Sequence, residues 1–206
     1  MNIFLLNQDM EVNVSEYVDL HVNKMITEHT QMLLDAVHYF DPDNYPFWER
    51  FKPFFNKIKN KATPHRLHPC TIWARESRSN WLYLKRLTGI LYQEWLYRRG
   101  YGSNHPHKSW DLLKDVEAPK TLEDKGLTPF AKAIQNQDYH LDCVFESYKL
   151  YYNKDKQHLS VTPVQKNFKI IDVKVAWTRR EVPEWFEFNS ELLKPENHKP
   201  RVPKKK

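Results

Sequence analysis

Only four glycines and two cysteines occur in 206 residues, and each scarcity removes a class of structure. All-β architectures with many tight glycine corners do not fit so few glycines beside 14% aromatic residues. Two thiols, Cys70 and Cys143, are too few for a disulfide scaffold, and neither sits in a CxxC pair suited to zinc or redox work, so both are read as buried. No apolar run is long enough to span a bilayer. The opening MNIFLLNQDMEV has no basic residue ahead of its short apolar stretch and acid soon after it, which fits a first strand rather than a signal peptide or anchor. A cytoplasmic location and no membrane partner are therefore expected. Phosphate-binding glycine loops, GxSxG and HExxH are all missing, which argues against nucleotide-driven motors, serine hydrolases and metalloproteases. His65/His68 and His105/His107 cannot complete a zinc site by themselves, so neither a metal nor a cofactor is expected.

What remains is an aromatic-rich chain, 40% hydrophobic, able to bury one core. The expected fold is mainly α: a single compact helical domain over residues 1–193, followed by a basic, poorly ordered tail over 194–206. The formal charge of +6 suits a polyanion such as DNA, but part of it lies in that tail, at Lys199, Arg201, Lys204, Lys205 and Lys206. Without them the rest of the chain is nearly balanced.

Apolar residues from Val18 to Phe40 recur every three or four positions and predict a helix over residues 17–40, with Ser15 as its N-cap. FDPDNYPFW then breaks the pattern and leads into an aromatic, lysine-rich stretch at 47–61, read as a short helix or ordered loop. Pro69 opens the next helical run, the Ser77 to Asn80 patch divides it, and Gly100 closes it. Ser109 caps a short helix, Thr128–Pro129 starts another at PFAKAIQ, and residues 141–153 form a further one. FKIIDVKVAW, residues 168–177, reads as a strand that could pair with the N-terminal IFLL.

Three clusters carry chemistry. Along one edge of the first long helix, His21, Lys24, Glu28, Gln31 and Asp35 repeat at the spacing normally used for burial. Burial there makes a carboxylate harder to ionise and an amine easier to deprotonate, as acid–base or imine chemistry requires, so His21, Lys24 and Glu28 are the candidate catalytic residues. The same spacing also fits a solvated face with an ordinary Lys24–Glu28 pair, stabilising by roughly 0.2–0.5 kcal/mol. In the second cluster His68, Trp73, Arg75, Arg78 and Asn80 supply a ring for stacking, guanidinium groups for phosphate and an amide for base edges; a buried Trp among solvated arginines is the plainer alternative. In the third, His107, Lys108 and Ser109 stand at a helix start, where free N–H groups attract phosphate, or simply cap a loop.

Taken in order, MNIFLLNQD, DLHVNKMITEHTQML, HPCTIWARESRSNWLYL, EWLYRRG, HKSW, GLTPFAKAI and WTRREVPEWF resemble an uncharacterised family of phage proteins over most of residues 1–186; such a source would make the compartment the host cytoplasm. More distantly, an N-terminal strand, a helix with His and Glu, a His-led helix and a helix ending in Arg-Gly resemble the pyrimidine-dimer DNA glycosylases. That resemblance implies attack by an amine on the sugar C1′ of a damaged or modified nucleotide, with Glu28 in the position of the glutamate that stabilises the sugar cation. In that family the amine is the chain's own N-terminus, exposed by methionine removal. Asn2 is a poor residue for that removal, and Thr27 stands where the family's arginine precedes its glutamate. Lys24, one turn from Glu28, is the substitute amine on physical grounds.

The sequence therefore points first to a DNA-acting enzyme of glycosylase or base-processing type. Two alternatives stand beside it: a non-enzymatic phage DNA-binding or host-factor-inhibiting protein, and a small enzyme that holds a mononucleotide phosphate at His107, Lys108 and Ser109.

Overall fold

A computed structural model describes residues 2–43 and 66–201; the expected element at 47–61 and His65 lie outside the described residues. Six α-helices occur among those described: α1 Met10–Ser15, α2 Asp19–Phe40, α3 Pro69–Ala74, α4 Arg78–Arg99, α5 Lys108–Leu113 and α6 Val144–Asp155. One antiparallel hairpin accompanies them, β1 Val161–Lys166 with β2 Lys169–Val175. The fold is mainly helical, as the composition demands.

The two long helices form the centre. Met25, Ile26, Met32 and Leu33 of α2 meet Trp81, Leu84, Leu87 and Leu91 of α4 in one fully buried core. The indole Nε1–H of Trp81 donates to the Leu33 carbonyl at 3.2 Å, so the largest buried ring is also anchored by a hydrogen bond. Pro69 opens α3, and Gly100 ends α4 in the left-handed region at φ 68°. The Arg179 guanidinium covers Gly100, 2.8 Å from where a Cβ would stand, and is the flexible end of an exposed side chain that could move aside.

Residues 2–9 form no strand. Their apolar members Ile3 to Leu6 are buried, and side chains take the place of a strand partner. The Asn13 carbonyl oxygen accepts from Leu6 and Asn7 N–H, while its amide and the Tyr17 hydroxyl both donate to the Phe4 carbonyl. Residues 169–175 pair instead with 161–166 across a two-residue turn. Closing two residues costs far less entropy than closing the distance to residue 3, so the local partner wins.

Other expected boundaries also move. Ser15 ends α1 and does not cap α2; the first N–H of α2, on Asp19, is satisfied by the Ala176 carbonyl at 2.8 Å. His107, not Ser109, caps α5. PFAKAIQ is not helical: the Tyr148 hydroxyl accepts from Ala133 N–H and lies 3.0 Å from the Ala131 carbonyl, and Asn2 Nδ2 donates to Ala133 C=O, so tertiary partners take groups a helix would use. Cys70 is buried, whereas Cys143 is exposed. Beyond Leu193, a 3₁₀ turn at Pro195–Asn197 and paired hydrogen bonds between Gln165 and Arg201 lay residues up to 201 against the hairpin.

A buried guanidinium ties these parts together. Arg98, 5% exposed, donates from Nε to Glu94 at 2.7 Å, from Nη1 to the Tyr17 carbonyl at 2.8 Å and Asp19 at 2.9 Å, and from Nη2 to the Ser15 carbonyl at 2.8 Å. Arg180 forks onto the same Glu94 at 2.7 and 3.0 Å. Burial alone would raise the Glu94 carboxyl, but the hydrogen bonds and charges of Arg180 and Arg98 outweigh it and hold it below the ordinary value. Replacing Arg98 with Met leaves the α1–α2 corner carbonyls and Asp19 without their donor. Urea unfolding is expected to show a loss of about 3–5 kcal/mol, with Arg98→Lys recovering little because an ammonium cannot reproduce the fork.

Candidate functional site

α2 carries the site because its inward edge accepts polar side chains at i, i+7 and i+14. His21, Glu28 and Asp35 are buried at 4%, 8% and 2% exposure, two helical turns apart. Each is matched to a partner from a different part of the chain.

Glu28 sits at the middle. Its Oε2 accepts the backbone N–H of Asn2 at 3.0 Å, and its Oε1 faces Lys24 Nζ at 3.2 Å. The Lys24 side chain is 55% exposed, so the burial expected for it is absent: it bridges solvent and a carboxylate that is nearly enclosed. Asn2 is clamped in turn. Its Oδ1 accepts from the Tyr148 hydroxyl at 2.7 Å and from Ile3 N–H at 2.9 Å, and Cys70 Sγ lies 3.7 Å away. Thr27, next to Glu28, shares a hydrogen bond with the Ser109 hydroxyl at 2.9 Å, which brings the start of α5 and its exposed Lys108 to this part of α2.

The other candidates divide by their surroundings. His21 stacks on Phe4 at 4.3 Å and contacts the Tyr152 hydroxyl through Nδ1 at 2.5 Å. Burial, with lesser effects from nearby cationic groups such as Lys156 and Lys24, lowers its pKa to about 3, so it is a neutral core ring. Trp73 is buried at 3% against Tyr83 and Phe130 and offers no free face for a base. Asn80 has no exposure; it brackets residue 128 by accepting from Thr128 N–H at 3.0 Å and donating to the Thr128 hydroxyl at 2.7 Å, and it also donates to the Trp73 carbonyl at 2.8 Å. Arg78 Nη1 reaches the Pro119 carbonyl at 3.4 Å and holds a loop. His68 and His107 cap α3 and α5 through Nδ1; burial lowers the His107 pKa, with Asp111 opposing.

Arg75 is different. It pairs with Asp35 at 2.9 Å and lies 4.5 Å over the half-exposed ring of Tyr39, which Arg66 also approaches, at 5.1 Å. Burial raises the Asp35 carboxyl, with the Arg75 charge and hydrogen bond opposing. Glu28 and the Asp35–Arg75 pair thus share one edge of α2, about 10 Å apart along the axis. The exposed ring beside Arg75 is Tyr39, not Trp73.

Two participants escape sequence reasoning. Asn2 gives no signal, since its role depends on residues 131 and 148. His29 gives one: it falls among Val22, Ile26 and Leu33 on the apolar face. It has no exposure, its Nδ1 lies 3.3 Å from the Thr88 hydroxyl, and burial lowers its pKa to about 3, opposed by the Asn2 backbone. Among the described residues, no three His, Cys, Asp or Glu side chains stand together as metal ligands, and no helix is long and apolar enough to cross a membrane.

Both buried histidines bind protons more readily when unfolded. With folded values near 3 against an ordinary 6.5, their contribution is fully present above pH 6.5 and is lost as pH falls toward 3. The urea midpoint should therefore drop steadily between pH 6.5 and 4. His29→Gln should flatten that slope, and an unchanged slope would show that His29 does not titrate on unfolding.

Compared with protein-family models, with curated proteins and with solved structures, the chain matches none.

Proposed function

We propose that this protein is a DNA-acting enzyme of glycosylase or base-processing type that works on a damaged or modified nucleotide, with Glu28 at the reacting sugar. One observation carries the reading: a nearly buried carboxylate is met on one oxygen by the backbone nitrogen of Asn2 at 3.0 Å and on the other by a solvent-facing amine, Lys24, at 3.2 Å. A structural ion pair does not require that enclosure, because an exposed i, i+4 pair forms without it.

In the proposed reaction the amine first gives up a proton to solvent, and its lone pair then forms a bond to C1′ as the glycosidic bond breaks. The base leaves with the bonding electrons and takes up a proton. Glu28 stabilises the positive charge that develops at C1′ and O4′. Loss of a proton from the attached nitrogen and opening of the C1′–O4′ bond, with O4′ protonated, gives the imine. Lys24 is the amine already in contact with Glu28 and open to solvent. Arg75, beside the Tyr39 ring near the end of α2, and Lys108, next to the Ser109 that bonds Thr27, supply positive charge for flanking phosphates.

Borohydride reduces such an imine to a stable amine, so incubation with duplexes carrying damaged or modified bases should trap a covalent complex, mapped by peptide mass spectrometry to Lys24 or to the amino-terminal residue. Glu28→Gln should lower trapping at least a hundredfold while leaving duplex affinity within about threefold. Absence of trapping on every substrate, or wild-type turnover by Glu28→Gln, sinks the proposal and favours a binding protein without turnover.

A further inference from the structure

The tip of the hairpin breaks two rules at once. A two-residue turn with both positions in the left-handed region normally uses Asn-Gly. Here Asn167 has φ 47°, as expected, but the second position is Phe168, at φ 59°. A bulky residue in that region is an outlier that costs stability, on the order of 1 kcal/mol or more. Phe168 is 58% exposed and makes no aromatic ring contact with any described residue. The flanking residues Lys166 and Lys169 are direct cross-strand partners, both exposed, and like charges placed opposite each other also destabilise a ribbon.

Cations flank the tip, while the acids of this region, Asp172 on β2 and Glu191 and Glu196 on the 3₁₀ turns packed against β2, lie away from it in sequence. Lys174 is exposed on β2, and Arg201 is held against Gln165 by two hydrogen bonds, at 2.7 and 2.8 Å. Asp172 is the only acid between residues 161 and 175, and its Oδ1 is occupied by Val173 N–H at 2.8 Å. An exposed aromatic ring framed by cations fits a polyanion that has π faces to stack on. The ribbon's last residues lead to Ala176, whose carbonyl accepts the first N–H of α2; Glu28 lies nine residues along that helix, about 14 Å from this point.

We infer that the β1–β2 ribbon is a second DNA contact, in which Phe168 inserts between base pairs as a wedge while Lys166 and Lys169 hold the phosphates on either side. Unstacking a step in this way makes a nucleotide easier to extrude, so the inference names how the substrate would be exposed and rests on the DNA-acting reading above. The strain at Phe168 and the lysine pair are then tolerated for contact with the nucleic acid.

The test uses the full chain and a duplex containing 2-aminopurine, whose emission rises when it is unstacked. Binding of wild-type protein should raise that emission. Phe168→Gly removes the ring and suits the positive φ, so its thermal midpoint should be equal or higher, while the emission rise is lost and affinity falls about tenfold, the order of one stacked ring. Changing Lys166 and Lys169 together to Gln should reduce the salt dependence of log K by about two while preserving the emission rise at saturation. Wild-type emission and affinity in Phe168→Gly overturn the wedge, as does Phe168-dependent binding to phosphatidylserine vesicles without any duplex effect. The chemistry is separable: Glu28→Gln should still raise 2-aminopurine emission. Failure to trap an imine alongside a Phe168-dependent rise would remove the reaction and support the wedge.

Discussion

The buried charge on Arg98 fixes where α2 begins. A guanidinium removed from water must have its donors satisfied, and here the Ser15 and Tyr17 carbonyls, Asp19 and Glu94 accept them together. These acceptors lie on the α1–α2 corner and on α4, so the corner cannot shift without exposing an unpaired charge to the core. Arg180 on Glu94, with Thr178 and Trp177 on Asp19 and the Glu16 carbonyl, draws the segment after the ribbon to the same point. The orientation of α2 follows, and with it which side chains on that helix face inward.

Given that orientation, the polar edge of α2 is a consequence of partners arriving from elsewhere. Glu28 tolerates burial because Asn2 and Lys24 meet its two oxygens, Asp35 because Arg75 does, and His21 because it is a neutral ring against Phe4 and Tyr152. The three are chemically distinct. Only Glu28 combines enclosure with an amine open to solvent, which separates it from a core histidine and from a closed ion pair. A polar stripe at helical spacing thus marks a buried edge, while the partners decide which member can act.

Much of the fold could be read locally. The two long helices, the break near Ser77, the proline at the start of α3 and the glycine after α4 all follow from spacing and backbone chemistry, and the structure has them. Two of the failures share a cause. The Ser15 cap and the PFAKAIQ helix are expected from local preference and are replaced by contacts from far away in the chain, Ala176 on α2 and Tyr148 and Asn2 on the stretch near 131, whereas the expected long-range strand pair gives way to nearer partners, Asn13 and Tyr17 on the first segment and β1 on β2. At the site, the polar spacing that includes Glu28 is legible in the sequence, whereas the closeness of the Ser109 loop depends on the tertiary contact between Thr27 and Ser109. Trp73 and Asn80 were misread because an aromatic–polar cluster has the same composition whether it faces solvent or clamps a neighbouring loop.

The clamp on Asn2 also sets an order of assembly during synthesis. Its side chain contacts Ala133 and Tyr148, 131 and 146 residues further on. At about 5–20 residues per second, Asn2 is synthesised roughly 7–30 s before Tyr148. The apolar residues that follow it must wait, or lodge elsewhere, until α6 arrives. A nascent chain that already has α2 and α4 therefore holds Glu28 without the bracket that fixes Asn2 against it, and the enclosed carboxylate is completed among the last features of the fold.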